Sequence, residues 1–301
     1  MMHEPYSEND AVLRLTIFGG EARVALLRTT QTAQRAGDIH NASDVAIAAM
    51  SRMMTGTAML GVMMKEDKAL VTIQIRGDGP AGGLTVTADS HFHAKGYVNN
   101  PHVQIPLKPN GKLDVSGAIG KGTLTVIRDI GLKEPYVGTI QMPSAEIAED
   151  LTLYFAESEQ IPSSVGLGVL VDRDWSVRQA GGFILQLMPG AGDEVIDRLE
   201  KKIAGLRSVT DLLEQGMLPE DILGELIGDF GLQITQKHEV SFACSCSRER
   251  IEKALISIGP EDVTEMIEEG KPIEVGCQFC GKQYRFGVED LRRILSFQKK
   301  K

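Results

Sequence analysis

Two stretches, Val12-Leu13-Arg14-Leu15-Thr16-Ile17-Phe18 and Ala22-Arg23-Val24-Ala25-Leu26-Leu27-Arg28, set apolar and β-branched residues in short runs on either side of Gly19-Gly20. Runs of this length separated by glycine predict two strands joined as a hairpin. A segment rich in Thr and Gln follows and is assigned no element. Asn41 or Ser43 can then cap a long helix running to about Lys65. Its apolar residues go nearly all the way round, the pattern of a buried helix. Met50, Met53, Met54, Met59, Met63 and Met64 crowd it. Thioethers fill irregular core gaps or adapt to varied partners, and on a buried helix packing explains them.

Leu70 to Arg76 alternates as a strand and runs into Gly77-Asp78-Gly79-Pro80-Ala81-Gly82, which formally matches the dinucleotide-binding fingerprint. That fingerprint works by opening a helix whose N-terminus holds pyrophosphate, whereas Leu84 to Asp89 alternates as another strand. A turn explains the glycines. His91 and His93 can share one strand face, but no third metal ligand lies near them in sequence, so an exposed loop or strand end is expected. Further strands are predicted at Ala94 to Val98, Gly122 to Arg128 and Tyr136 to Met142. Pro143-Ser144 introduces an amphipathic helix through Ile147, Leu151, Tyr154 and Phe155, followed by strands at Val165 to Val171 and Gly181 to Met188. The spacing implies a substantial antiparallel sheet.

Pro189-Gly190-Ala191-Gly192 breaks this pattern, and Asp193 can start a helix. One apolar face runs through Val195, Ile196, Leu199, Ile203 and Leu206, with smaller ones at Leu212-Leu213, Ile222-Leu223 and Leu226-Ile227. These helices are short and punctuated by glycine, so their stability must come from docking. The tail reads as a short strand, two small helices starting near Ser247 and Pro260, a strand at Lys282 to Phe286 and a final helix from Val288. The expected fold is α+β: a largely antiparallel sheet core with packed helices (1–190), a labile helical linker (191–243) and a small C-terminal domain (244–301).

Net charge is −9 over 301 residues. Residues 189 to 240 contribute −6 of it, and the tail from 241 is close to neutral at +1. Nucleic-acid modules cluster Lys and Arg, so DNA and RNA are not expected ligands. The polar, acidic start carries no signal peptide, and Ser51, Arg52 and Thr55 interrupt the most apolar region. No membrane span and a cytoplasmic location are therefore expected.

The chain has 4 cysteines, all in the tail, as Cys244-Ser245-Cys246 and Cys277-Gln278-Phe279-Cys280. Four soft thiolates in two tight pairs suit one tetrahedral ion, with Zn2+ the default occupant. Each pair could also close into a disulfide. Arg248, Arg250, Lys253, Lys282 and Arg285 are near enough in sequence to offset the thiolate charge, and such cations favour reactive thiolates. On spacing alone the site is either a structural staple or a redox switch. Four thiolates leave no open position for a catalytic metal, and there is no Ser elbow or HExxH, so no enzymatic activity is expected.

Four blocks together resemble the 33-kilodalton heat-shock protein family of redox-regulated holdases. They are Ile73 to Pro80, the helix Glu146 to Leu151 with Tyr154-Phe155 and Ser158-Glu159-Gln160, the strand Gln179-Ala180-Gly181-Gly182, and the Cys-x-Cys and Cys-x-x-Cys tail. The resemblance implies an ATP-independent chaperone, inactive when its reduced thiols hold zinc. It further implies that oxidation pairs Cys244 with Cys246 and Cys277 with Cys280, that zinc is lost, and that the tail and linker unfold. Unfolding client proteins are then bound, a homodimer accompanies full activity, and clients pass to ATP-dependent foldases. The linker face (Val195, Ile196, Leu199, Ile203, Leu206) supplies the client-binding candidates. Two alternatives stand beside it. A thiol-disulfide oxidoreductase fits the Cys-x-x-Cys spacing but lacks the expected helix start, and a zinc-ribbon nucleic-acid adaptor lacks the basic charge.

Overall fold

The computed structural model describes residues 9–205 and 207–298, with Leu206 outside them. The hairpin appears as β1 (Ala11–Ile17) and β2 (Ala22–Arg28), turning at Gly19 (φ 65°) and Gly20 (φ 106°). The Thr- and Gln-rich segment is a helix, α1 (Thr30–His40), a difference from the sequence reading. Its buried face is only Thr32, Ala33, Ala36 and Gly37, so no strong apolar stripe announces it. Its N-terminal donors are satisfied from outside: Gln31 N–H and Thr32 N–H donate to the two carboxylate oxygens of Asp10, at 3.0 and 2.6 Å. Asn41, offered as a cap for the next helix, instead ends α1 in the left-handed region (φ 45°).

The long apolar helix is α2 (Asp44–Met63), with Ser43 in the N-cap position but its hydroxyl donating to Val103 C=O. By length and composition it could cross a membrane, yet 94% of its apolar window is buried in protein. The reason lies in the sheets around it. β3 (Leu70–Gly77), β4 (Leu84–Asp89), β5 (His93–Val98), the short α3 (Val115–Ile119), β6 (Gly122–Asp129) and β7 (Tyr136–Met142) come next. Then α4 (Ile147–Tyr154) leads to β8 (Ser163–Val171) and β9 (Val177–Leu187). α2 packs against β3, β4 and β5 of one sheet and against β2, β8 and β9 of another, so it has no outward face. Met50, Met53, Met54 and Met59 are at most 1% exposed, as core filling requires.

The fingerprint-like glycines form the β3–β4 turn, with Gly79 and Ala81 N–H donating to the carbonyls of Ile119 and Ala118. A Cβ on Gly79 would meet Ala118 O at 2.5 Å, so the glycine serves close backbone approach and not pyrophosphate. His91 and His93 stand at the start of β5, paired with Asp67 and Asp89 at 3.1 Å each.

Past β9 come α5 (Asp193–Ala204), α6 (Val209–Glu214) and α7 (Pro219–Ile227), then β10 (Gln233–Glu239) and the two-residue β11 (Ser241–Phe242). The stretch 191–243 is therefore not helical throughout. β10 joins the sheet β10-β1-β2-β9-β8, and β11 runs parallel to β5 at the edge of β11-β5-β4-β3-β6-β7. Val195 and Leu199 of α5, Val209, Leu212 and Leu213 of α6, and Ile222, Leu223 and Ile227 of α7 share one core cluster with Leu13, Leu15, Val24, Leu26, Phe183 and Leu185. Every residue of β10 is exposed, so backbone pairing with β1 and a few polar side-chain bonds hold it.

The chain divides into two units, Met1–Ala243 and Cys244–Lys301. The second contains α8 (Arg248–Ile256), α9 (Pro260–Glu268), a hairpin of β12 (Ile273–Gly276) with β13 (Gln283–Phe286), and α10 (Val288–Gln298). β12 was not anticipated. Leu255, Val263, Tyr284, Phe286, Leu291 and Ile294 form its core. So small a core supplies little stability and calls for a covalent or metal staple.

Candidate metal centre

The second cysteine pair sits on the β12–β13 turn. Cys277 N–H donates to Lys282 C=O at 2.9 Å and Gly281 N–H to Cys277 C=O at 2.8 Å, while Gly281 takes φ 70°, which the turn needs glycine to reach. The first pair precedes α8, where Ser247 caps the helix by accepting from Arg250 N–H at 3.3 Å. Arg250 also donates to Ser245 Oγ at 2.6 Å, inside the Cys-x-Cys motif. The hairpin and the helix start bring all four sulfurs within 4.8 Å of one another. A tetrahedral zinc with bonds of about 2.3 Å places sulfurs about 3.8 Å apart. The observed separations are 3.8 Å for Cys244–Cys277 and 3.4 Å for Cys246–Cys280, so the donor set fits such an ion.

Both of these close approaches run between motifs, not within them. Pairing inside each motif thus rests on the resemblance, because all four sulfurs lie within 4.8 Å of one another and proximity alone does not select the pairs. All four thiols are free and half-buried. Burial pushes the Cys246 thiol up, but donation from Tyr284 O–H and from the neighbouring thiols outweighs it, lowering it to about 7. Burial with the adjacent thiols pushes Cys280 up to about 12, against a lowering bond from Lys282 N–H. Four such groups ionise together only beside a cation.

Of the five cations, Arg248 and Lys282 have other partners in the structure. Arg248 donates to Arg285 C=O at 2.7 Å, pairs with Asp290 at 2.8 Å and lies 4.3 Å from the centre of the Phe286 ring. It braces α8 against α10 and the hairpin. Lys282 lies over the Tyr284 ring at 5.3 Å.

Of the client-binding candidates, Val195 and Leu199 are buried on the five-stranded sheet. Ile196 and Ile203 line an apolar groove with Pro162, Leu185 and Leu187. Leu206 lies outside the described residues. Sequence reasoning missed Tyr284, whose hydroxyl donates to Cys246 Sγ at 3.1 Å. A tyrosine at an inward strand position close to cysteine ligands was the available signal.

The family described as Hsp33 protein matches residues 10–287. The chain is 52% identical over 288 residues to the 33 kDa chaperonin of Lachnoclostridium phytofermentans, covering 96% of this chain and 99% of that one. It is 51% identical over 286 residues to the 33 kDa chaperonin of Agathobacter rectalis, covering 95% and 99%. The crystal structure of the 33 kDa chaperonin of Thermotoga maritima superposes with a TM-score of 0.89 at 36% identity, covering 98% of this chain and 100% of that one. The α+β fold, the four-cysteine tail and these relatives agree: the chain belongs to the Hsp33 family, a family of chaperones and not of enzymes.

Proposed function

We propose that the chain is a redox-regulated, ATP-independent holdase, held inactive while Cys244, Cys246, Cys277 and Cys280 bind one Zn2+ per chain. The observation that carries this is the cluster of four oxidisable sulfurs within 4.8 Å, in a separate unit whose core is too small to stand easily alone. When bound, zinc cross-links the β12–β13 turn to the start of α8 and neutralises thiolate charge. Each disulfide removes two of the four ligands, so oxidation and metal retention exclude one another. On the family's pattern the pairs are Cys244–Cys246 and Cys277–Cys280.

Residues 191–243 act in this reading as a linker that responds to the loss of the folded tail. Its helices have an apolar face to offer, yet the groove along Ile196 and Ile203 forfeits packing contacts. β10 is exposed along its whole length and β11 spans two residues. With no buried face on β10, the end of the stretch next to the tail is its low-stability part, suited to opening by population shift. Undocking frees Val195, Ile196, Leu199 and Ile203 for unfolding client proteins, and Leu206 is proposed with them from the sequence. Homodimer formation on activation, transfer to ATP-dependent foldases and a cytoplasmic location complete the proposal.

The test is suppression of aggregation of a thermally unfolding protein, without nucleotide, by the reduced zinc-loaded form and by the peroxide-treated form. Activity confined to the oxidised form is expected. Equal inactivity of both would reduce the cysteine cluster to a structural staple.

A further inference from the structure

Tyr284 occupies an inward position on β13, opposite Val275 on β12, and is 7% exposed. Phenylalanine would meet the packing need alone, as Phe286 does two residues on. The hydroxyl is the addition, and a buried hydroxyl needs a partner. Its partner is Cys246 Sγ at 3.1 Å. The ring is fixed in turn by the β12–β13 ladder, by the core of the unit and by Lys282 Nζ over its face at 5.3 Å.

We propose that Tyr284 is a positioning residue for the thiolate cluster: its O–H bond holds the Cys246 sulfur in place as a ligand and slows that sulfur's oxidation, so that Cys277–Cys280 oxidises first. This rests on the redox-switch reading above. In the zinc-loaded cluster Cys246 is already a thiolate, so donation no longer raises its ionised fraction and only draws on the electron pair that attacks an oxidant; a partner behind a metal ligand typically changes affinity by about ten- to a hundredfold. In each pair, one thiolate attacks peroxide, forming a sulfenic acid and releasing hydroxide. The second thiolate then displaces hydroxide from that sulfur to form the S–S bond. Two electrons pass from the sulfurs to the peroxide, and the two hydroxides take up two protons as water. Tyr284 acts on the first step at Cys246 by tying up its lone pair.

The experiment uses the full chain, zinc-loaded and reduced, with peroxide as oxidant. Thiol loss is followed by differential alkylation and mass mapping, zinc release by a chromophoric chelator, and zinc affinity by competition. Tyr284→Phe keeps the ring and removes the donor. The expected result is several-fold faster modification of Cys246, a narrowed delay between the two disulfides and about tenfold weaker zinc binding. Site-specific 3,5-difluorotyrosine at 284, a stronger donor of nearly the same shape, is expected to slow Cys246 further, a direction that damaged folding cannot imitate. Unchanged order, rate and affinity in both variants, with one zinc on the wild-type chain, overturns the role of Tyr284 alone. Wild-type chain that binds no zinc overturns the redox-switch reading and this inference with it.

Discussion

Leu199→Ala is the sharpest test of whether the segment after β9 moves as a lever. Leu199 is 2% exposed and sits among Val24, Phe183 and Leu185 of the sheet and Leu223 and Ile227 of α7, so it joins α5 to both. The substitution removes three carbons from a buried side chain that borders the apolar groove. Transfer accounts for roughly 2.4 kcal/mol at about 0.8 per carbon, and incomplete collapse of the cavity brings the cost to about 3 kcal/mol. If that cost falls on docking alone, it raises the open population about a hundredfold. Hydrogen exchange on the reduced, zinc-loaded chain should show lost protection across α5, α6 and α7, with β2 and β9 unchanged and zinc still at one per chain. Aggregation suppression should become partial without oxidant. A uniform loss of protection through β1, β2 and β9, with no local opening at α5, would refute the reasoning. Leu199 would then be ordinary core, and the segment would not be a separable element.

Cys280→Ser should abolish stoichiometric zinc binding in metal analysis of the reduced protein, because losing one thiolate weakens a closed site severely; unchanged zinc content would remove Cys280 from the ligand set. Non-reducing peptide mapping after peroxide treatment should find Cys277–Cys280 and Cys244–Cys246, the pairs of the proposed switch, in which the cluster that sets Cys244 by Cys277 and Cys246 by Cys280 comes apart on oxidation. Mainly Cys244–Cys277 and Cys246–Cys280 would mean that the folded geometry dictates pairing. Asp150 is fully buried, and burial raises its carboxyl, opposed by the Ser144 N–H and O–H bonds and reinforced by Glu149 and Glu146. A folded-state value above the unfolded one stabilises the fold below the unfolded value, about 3.9, and that contribution is lost as pH rises through the folded value. Asp150→Asn should therefore melt higher than wild type at neutral pH and lose that advantage near pH 4; an advantage independent of pH would show that the charge is not its cause.

Local pattern determined much of this protein. Alternation marks β3, β4 and β6, and apolar residues all round mark α2 as interior. Cys244, Cys246, Cys277 and Cys280 were legible as a candidate metal site because thiolate softness and tight spacing need no tertiary information, and the fold brings their sulfurs within 4.8 Å. Glycine at 79 was legible as a turn because the next residues alternate as a strand. Other features were decided only by contacts between distant residues. α1 is capped by Asp10 from before the hairpin, so its own sequence lacks the signal at its start. β10 has no buried face and exists through pairing with β1, with Arg14 bonded to Gln236 across 222 positions. Arg248 lies near Cys246 in sequence yet engages Asp290 and Phe286, while Tyr284, 38 positions from Cys246, reaches its sulfur. Periodicity reports which face of an element is buried; the partner that buries it, and the donor that meets a given sulfur, are fixed only when the chain folds back on itself.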